Sequence, residues 1–216
     1  MVCFLKVVGA SALLVGLLCV GLIYYGDQPL LLLFRQLRLY GLGSHTESVL
    51  QINEYITLMG AQKGWMVISL LAFLLAGIGY KMGRYPRQCR ALLYIGTTSM
   101  LAMSVGGVLK FVLGRSRPIE FFQANLYGFE FFSMAWAQHS MPSGHTVAIF
   151  AGATALSVLY RRYGRPLFFT VAIFVALSRL VLEMHYLSDI ILGAYIGIIS
   201  ALFMRHILYK DKIKTC

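Results

Sequence analysis

Apolar residues occur in this sequence as long runs, several of which approach the ~20 residues that a helix needs to cross a ~30 Å hydrocarbon layer. Of the 216 residues 59% are apolar and only 12% charged, and the mean hydropathy is +0.74, so the charged surface of a soluble domain is missing. We therefore predict an integral membrane protein with six spans, at roughly 7–25, 65–80, 91–113, 146–160, 166–181 and 190–208.

These spans must be α-helical, because lipid offers no hydrogen-bond partner for backbone N–H and C=O groups. A membrane β-barrel would instead show short segments of alternating hydrophobicity. The expected fold is thus an all-α, polytopic bundle of six transmembrane helices that forms a single domain over residues 1–216. The first span follows Lys6 and lacks a small-x-small cleavage site, so we interpret it as an uncleaved anchor rather than a signal peptide.

A sizeable segment that we expect to face outward, residues 26–64, separates the first two predicted spans. Within it the run Leu30–Phe34 is followed by further leucines and is interrupted by Arg35 and Arg38. An apolar face with basic residues is typical of a helix that lies at the membrane interface. A helix packed on the bundle explains the same pattern equally well.

The net charge of +11 raises the question of nucleic-acid binding, but the distribution of the charges favours membrane orientation instead. If the amino terminus is cytoplasmic, twelve of the nineteen basic residues fall on the cytoplasmic side. They are Lys6, Lys81, Arg84, Arg87, Arg90, Arg161, Arg162, Arg165, Arg205, Lys210, Lys212 and Lys214. We therefore predict no nucleic-acid partner, cytoplasmic termini, and an outward position for the loops after the first, third and fifth spans.

The first chemical motif is Lys110–Pro118, at the outer end of the third predicted span. A cation deep in an apolar segment is costly unless it is paired or functional. If the helix continued, Arg117 would lie two turns beyond Lys110 on the same face, and Pro118 would end the helix. The alternative is that both cations extend to lipid headgroups.

The second motif, Pro142–His145, precedes an apolar helix. Ser143 stands where a hydroxyl can cap the first free N–H groups, and Gly144 allows a ligand to approach the backbone closely. The helix N-terminus favours an anion, which would place His145 beside a bound phosphate. Taken alone, the motif is also an ordinary capped helix start.

The third motif, Ser178–Asp189, lies between the last two predicted spans. Arg179 closes one span, His185 lies in the turn, and Asp189 opens the next span four residues later. At that spacing Asp189 can accept the imidazole N–H and leave the other ring nitrogen free to attack phosphorus. A purely structural polar contact remains open for a single His-Asp pair.

Together the three motifs closely resemble the signature of the type 2 phosphatidic acid phosphatase (lipid phosphate phosphatase) superfamily. The matching positions are, in order, Lys110, Arg117-Pro118, Pro142-Ser143-Gly144-His145, Ser178-Arg179, His185 and Asp189. The resemblance implies that His185 is the nucleophile of a phosphohistidine intermediate, that Asp189 orients it, and that His145 protonates the leaving group. It also implies that Lys110, Arg117, Ser143, Gly144 and Arg179 bind the phosphoryl oxygens.

The expected function is therefore hydrolysis of a lipid phosphate or diphosphate at the outer face of a bacterial inner membrane, with the membrane lipids as further partners. Candidate substrates are a polyprenyl diphosphate, lipid A 1-phosphate, phosphatidylglycerol phosphate and phosphatidic acid. Phosphoryl transfer to another acceptor remains an alternative, as does a non-catalytic transporter or binding protein for phosphorylated lipid. We expect no cofactor and no obligate protein partner.

A metal site is the other reading of the same residues. His145, His185 and Asp189 could form a two-histidine, one-carboxylate triad. The neighbouring cations Lys110 and Arg117 would repel a metal ion, whereas they suit an anion. We therefore predict that the site works without metal.

Overall fold

The computed structural model of the protein describes residues 2–41, 45–83, 85–160 and 164–209. Nine α-helices account for most of these residues. They are α1 Val2–Tyr25, α2 Asp27–Gln36, α3 Thr46–Leu58, α4 Gln62–Lys81, α5 Pro86–Leu113, α6 Pro118–Ala124, α7 Gly144–Leu159, α8 Gly164–Val181 and α9 Leu187–Leu208. A π-helical turn, Leu37–Gly41, extends α2, and the described residues contain no β-strand beyond an isolated bridge between Arg115 and Phe129.

Five helical stretches are long and apolar enough to cross a membrane, which confirms an all-helical integral membrane protein. They are Phe4–Tyr25, Thr46–Lys81, Pro86–Leu113, Gly164–Val181 and Leu187–Leu208. The fourth predicted span corresponds to α7, which has only 16 residues. The prediction of six spans therefore remains a prediction.

The short helix α7 lies at the centre of the bundle, packed against α5, α8 and α9. Most of its residues are buried, so its apolar sequence reflects protein contacts more than contacts with lipid. The largest cluster of buried side chains surrounds it and includes Trp65, Ile149, Phe150, Val175, Leu180 and Ile190. The outer faces of α1 and α4 are rich in exposed leucine, as expected for helices that face hydrocarbon.

Glycines allow α7 to approach its neighbours closely. A Cβ on Gly197 of α9 would lie 2.7 Å from the backbone nitrogen of Ala151 and from the carbonyl oxygen of Val147. A Cβ on Gly152 of α7 would lie 1.8 Å from the Trp65 ring. Small residues at such crossings are the usual way in which membrane helices pack backbone to backbone.

The described part of segment 26–64 is largely helical and packs on the bundle. Helix α2 contacts α1, α8 and α9, and α3 packs along α8. Asp27 and Leu31 are buried, whereas Leu32 and Leu33 are about half exposed. Arg35 and Arg38 lie 3.6 and 3.4 Å from the carboxylate of Glu183. One side of α2 therefore packs on the bundle and its other side is exposed, and the interfacial position of the segment stays a prediction.

Of the twelve basic residues assigned to the cytoplasmic side, the six that the structure describes lie at the end of the bundle where α1 and α5 begin and α9 ends. At this end the rings of Phe4 and His206 stack at 5.6 Å, and Arg90 lies 6.0 Å from the ring of Tyr209. Several of those basic residues lie outside the described residues, namely Arg84, Arg161, Arg162, Lys210, Lys212 and Lys214. The three chemical motifs lie at the opposite end.

Candidate functional site

The first motif is not a continuous helix, contrary to the idea that Arg117 extends the face of Lys110. Helix α5 ends at Leu113, and Gly114 adopts a left-handed conformation with φ 54°. A side chain at Gly114 would collide with the carbonyl of Glu130, so the close approach of two backbone segments ends the helix here. Arg117 is extended, as expected before proline, but Pro118 begins α6 rather than ending α5.

The chain after Gly114 folds back on the loop that precedes the second motif. The Ser116 N–H donates to the Gly128 carbonyl at 3.0 Å, and the Arg117 N–H donates to the Ala137 carbonyl at 2.9 Å. The Ser140 N–H in turn donates to the Arg115 carbonyl at 3.0 Å. These backbone bonds hold the first and second motifs side by side.

Lys110 and Arg117 converge on one backbone oxygen. Lys110 Nζ donates to the carbonyl of His139 at 2.8 Å, and Arg117 Nη2 donates to the same oxygen at 3.2 Å. Arg117 Nε donates to the carbonyl of Trp136 at 3.0 Å, and the guanidinium lies 4.1 Å from the centre of the Trp136 ring. Burial lowers the pKa of Arg117 to about 10, which leaves it charged at neutral pH. Two cations are therefore fixed at one spot.

The second motif lies at the start of α7, but Ser143 does not act as the predicted side-chain cap. It is the N-cap residue, yet its hydroxyl accepts a hydrogen bond from Thr146 Oγ1 at 3.0 Å and makes no capping bond to the backbone. The Ser143 N–H donates to the Asp189 carbonyl at 3.0 Å, which joins the second motif to the third. Gly144 is buried against the amide of Gln62, so its lack of a side chain serves close packing.

Arg179 lies at the end of α8 and points toward the same region. Its Nη1 donates to Thr57 Oγ1 at 2.8 Å, while its Nε has no hydrogen-bond partner among the described residues. The charges of Arg179, Lys110 and Arg117 all act on the half-buried ring of His145. The three cations and His145 thus share one electrostatic environment.

His185 and Asp189 are brought together at the start of α9. His185 Nδ1 lies 3.5 Å from Asp189 Oδ2, which is longer than a good hydrogen bond, and no other side chain in the described part of the chain bonds to that nitrogen. Burial lowers the pKa of His185 to about 3; the charges of Lys110 and Arg117 add to this effect, and Asp189 opposes it. The imidazole is therefore neutral at pH 7, the form that can act as a nucleophile.

Asp189 is held by several donors besides His185. Its Oδ1 accepts from Arg115 Nη1 at 2.6 Å, and its Oδ2 accepts from Ser140 Oγ at 2.6 Å and from the Tyr186 N–H at 2.9 Å. Both Asp189 and Arg115 are fully buried. The carboxylate next to His185 consequently has a fixed orientation.

All eight side chains and backbone groups singled out by the sequence therefore lie at one end of the bundle. Sequence reasoning missed other groups that hold them, namely Asp27, Thr57, Arg115, Ser140, Ser188 and the carbonyl of His139. Arg115 could have been identified from the sequence, because it is a charged residue inside the first motif. Asp27 and Thr57 lie far from the motifs in the sequence, and no pattern around them indicates a role in the site.

The arrangement suits an anion. Three cations lie near two histidines, and one nitrogen of these cations, Arg179 Nε, is buried without a hydrogen-bond partner among the described residues. Among the described residues, no group of three or more His, Cys, Asp and Glu side chains has the geometry of a metal site. A phosphate between the cations would supply acceptors for their free N–H groups.

Comparison with known proteins identifies relatives for most of the chain. A family model described as the PAP2 superfamily matches residues 91–213, which contain all three motifs. Two curated relatives, both named lipid A 1-phosphatase, are 30% identical to the chain. The protein of Rhizobium etli aligns over 73% of this chain and 70% of its own length, and that of Rhizobium johnstonii over 69% and 64%.

A lipid A 1-phosphatase of Porphyromonas gingivalis is also 30% identical, over 76% of this chain but only 32% of its own length. The fold is similar to the crystal structure of a transmembrane PAP2-type phosphatidylglycerolphosphate phosphatase from Bacillus subtilis. The TM-score is 0.60, and the alignment covers 96% of this chain and 97% of the other. At 15% sequence identity this likeness concerns the fold.

Proposed function

The chain belongs to the PAP2 superfamily and is a membrane lipid phosphatase, and we propose that it hydrolyses the 1-phosphate of lipid A. The main support for this reaction is that two histidines and three cations converge at one end of the bundle. The choice of lipid is supported by the three relatives, all of which are named lipid A 1-phosphatase.

In the first step, His185 Nε2 attacks phosphorus, and the bond between phosphorus and the sugar oxygen breaks. Nδ1 faces Asp189, so Nε2 is the nitrogen left for attack. The attack makes the imidazole positive, and the fixed carboxylate of Asp189 stabilises that charge. His145, which is protonated when the negatively charged phosphate offsets the three neighbouring cations, donates its proton to the departing sugar oxygen, which leaves as an alcohol.

In the second step, water hydrolyses the phosphohistidine. His145, now neutral, takes a proton from the water as it attacks phosphorus; the phosphorus–nitrogen bond breaks, and inorganic phosphate is released. His185 recovers its neutral form for the next cycle.

Lys110, Arg117 and Arg179 stabilise the phosphoryl oxygens in both steps. Their positions are fixed before substrate binds, because His139, Trp136 and Thr57 already hold them. Preorganised charges of this kind lower the barrier without reorganisation during the reaction. We propose that they make a metal ion unnecessary.

We further propose that the site faces the periplasm and that six helices, α1, α4, α5, α7, α8 and α9, cross the membrane. Connections at the site end join α1 to α4, α5 to α7 and α8 to α9, which is consistent with both termini at the other end. The basic residues at that other end support its cytoplasmic position. A lipid headgroup in the outer leaflet would then reach the site directly.

The proposal is tested by phosphate release from purified lipid A, polyprenyl diphosphate, phosphatidylglycerol phosphate and phosphatidic acid. We expect the fastest release from lipid A carrying the 1-phosphate, no release by His185→Ala, and full activity in excess EDTA. Preference for another lipid would refute the substrate assignment. Activity that EDTA removes and a divalent ion restores would refute the metal-free mechanism, and transfer of phosphate to a second lipid without release would indicate a phosphotransferase.

A further inference from the structure

A buried ionic network connects segment 26–64 to the carboxylate beside His185. Arg115 Nη1 lies 2.6 Å from Asp189 Oδ1, and Arg115 Nη2 lies 2.8 Å from Asp27 Oδ2. All three side chains have essentially no exposure to solvent. One guanidinium is thus shared between two carboxylates that come from distant parts of the sequence.

Ser188 completes the network between the two acids. Arg115 Nη1 donates to Ser188 Oγ at 2.6 Å, Ser188 Oγ makes a short hydrogen bond to Asp27, and the Ser188 N–H donates to Asp27 Oδ1 at 3.0 Å. Tyr127 also accepts from Arg115, at 2.9 Å. Asp27 therefore holds both the guanidinium and the first turn of α9.

The network contains two negative charges and one positive charge, so Asp27 affects the electrostatics of the site as well as its packing. Burial alone would lower the pKa of Arg115, but the charges of Asp189 and Asp27 outweigh it and raise the pKa. With one positive and two negative charges, Arg115 cannot neutralise both carboxylates. Because Arg115 also pairs with Asp27, it neutralises Asp189 only in part. The remaining negative charge of Asp189 can then stabilise a positive charge on His185.

We propose that Asp27 is a positioning residue that, through Arg115 and Ser188, sets both the orientation and the charge of Asp189 for attack by His185. This inference rests on the proposed phosphohistidine mechanism. It assigns a role to a residue that lies outside the family match at 91–213 and outside the three motifs. It also predicts which step depends on Asp27, namely formation of the positively charged imidazole in the transition state.

The test is Asp27→Asn, which keeps the size of the side chain and removes its charge. Arg115 then pairs with Asp189 alone, so Asp189 stabilises the imidazole less well. We expect kcat for lipid A to fall by about 10- to 100-fold, with KM changed by less than about threefold. Glu54→Gln is the matched control, since Glu54 is an exposed acid of the same segment, and it should behave like the wild type.

A second readout separates positioning from general loss of structure. Orthovanadate adopts the five-coordinate geometry of phosphoryl transfer, whereas inorganic phosphate resembles the ground state. Their affinities are measured by calorimetry on the full-length protein in detergent. Asp27→Asn should weaken vanadate binding at least about tenfold more than phosphate binding, whereas a merely structural role would weaken both equally.

Ser188→Ala covers the case in which Asp27→Asn does not fold. This variant removes one hydroxyl and leaves every charge in place. We therefore expect its effects on kcat and on vanadate affinity to be about a third to a tenth as large as those of Asp27→Asn. Folded variants with wild-type kcat, or with vanadate and phosphate weakened in parallel, would overturn the inference. If the wild type releases no phosphate from any lipid, the proposed function fails, but the ratio of vanadate to phosphate affinity still decides the role of Asp27.

Discussion

A single backbone carbonyl, that of His139, organises two of the three cations in the site. Lys110 and Arg117 both donate to it, and the loop that carries it is closed by hydrogen bonds to the first motif. Because the acceptor is in the backbone, no replacement of the His139 side chain removes it. The imidazole itself contacts the Ser133 carbonyl at 2.8 Å, so its role is to shape the loop.

Trp136 is expected to affect substrate binding through Arg117. Replacement by leucine removes the ring that lies 4.1 Å from the guanidinium but keeps the carbonyl that accepts from Arg117 Nε. A cation–π contact at an exposed position contributes about 0.5–1 kcal/mol, so KM should rise by about two- to fivefold with little change in kcat. Steady-state kinetics with micellar lipid A measure this effect.

Phe131→Leu is the matched control for Trp136→Leu. Phe131 is as exposed as Trp136, at 63% against 59%, and its ring stacks on Phe129 rather than on a cation. Equal changes in KM for both variants would mean that the loop acts through its hydrophobicity, not through Arg117.

The lowered pKa of His185 predicts a specific dependence of stability on pH. The unfolded chain takes up a proton on this histidine below its ordinary pKa of about 6.5, whereas the folded protein does not until about pH 3. Stability should therefore fall as the pH decreases from 7 to 5, by up to about 2 kcal/mol from this group. His185→Gln lacks this group, so its Tm in detergent should decrease less over the same range.

A parallel decrease in Tm for the wild type and His185→Gln would contradict the burial of a neutral imidazole. Glutamine at 185 retains a polar side chain of similar length, so both proteins should share the remaining pH dependence. The difference between the two slopes isolates the contribution of His185.

At the scale of single residues, the sequence predicted the groups that carry out the chemistry but not those that hold them. Lys110, His145 and Asp189 were recognisable because ionisable residues are costly in apolar segments and therefore stand out. Asp27 and Thr57 act through contacts with residues that are distant in the sequence: Asp27 is 88 positions from Arg115 and 161 from Ser188, and Thr57 is 122 positions from Arg179. No local pattern reveals such partners.

At the scale of helices, the packing of α7 against α9 fixes the relative position of the second and third motifs. Gly197→Ala would bring a methyl group within 2.7 Å of the backbone of α7, and neither helix can move without displacing a motif. Overpacking of this kind costs about 1–3 kcal/mol, so we expect a lower Tm and reduced kcat together. Both are measured on the protein in detergent.

Gly107→Ala is the control for Gly197→Ala, because a Cβ at Gly107 meets nothing within 4 Å. Since alanine favours helix more than glycine by about 1 kcal/mol, this variant should be as stable as the wild type or slightly more so. A loss of stability at both positions would indicate that glycine is needed for flexibility rather than for close approach.

Helix boundaries were the least predictable feature at this scale. Helix α5 ends at Leu113, four residues before Arg117, because Gly114 meets the backbone of a loop that is formed by residues further along the chain. The predicted span at 146–160 corresponds to α7, and most of its apolar residues are buried against other helices rather than exposed. Hydropathy alone does not distinguish a lipid-facing helix from one surrounded by protein.

At the scale of the whole molecule, the site lies at one end of the bundle, and the described basic residues that were assigned to the cytoplasm, such as Lys6, Arg90 and Arg205, lie at the other. This separation predicts that reagents which cannot cross the membrane reach only one of the two ends. In a background with the four native cysteines replaced, Gln123→Cys at the site end should react from the periplasm, and Gln88→Cys should not. Both positions are exposed, which makes them a better pair than the native Cys89, a buried residue.

Labelling of the opposite set would turn the site toward the cytoplasm. The reacting lipid would then come from the inner leaflet, and the proposed assignment to periplasmic lipid A would be wrong. Disruption of the cells before labelling provides the positive control, since both cysteines should then react.

The general architecture followed from composition because a membrane leaves so few alternatives for the backbone. An all-helical protein with its motifs at one end could be predicted from apolar runs and charge bias. The inward-facing side of segment 26–64 could not, since Leu31 is buried only because α2 meets partners in distant helices.

The bond between Asp27 and Arg115 also limits how this enzyme can be recombined with its relatives. A hybrid that takes residues 91–213 from one protein and the preceding helices from another separates Asp27 from Arg115, the base with which it pairs. Such hybrids should be active only when the acid that follows α1 and the arginine that follows α5 come from the same parent, or when both parents have this pair. A segment that can be exchanged without loss of activity should therefore be longer than the family match and should begin at the first turn of α2.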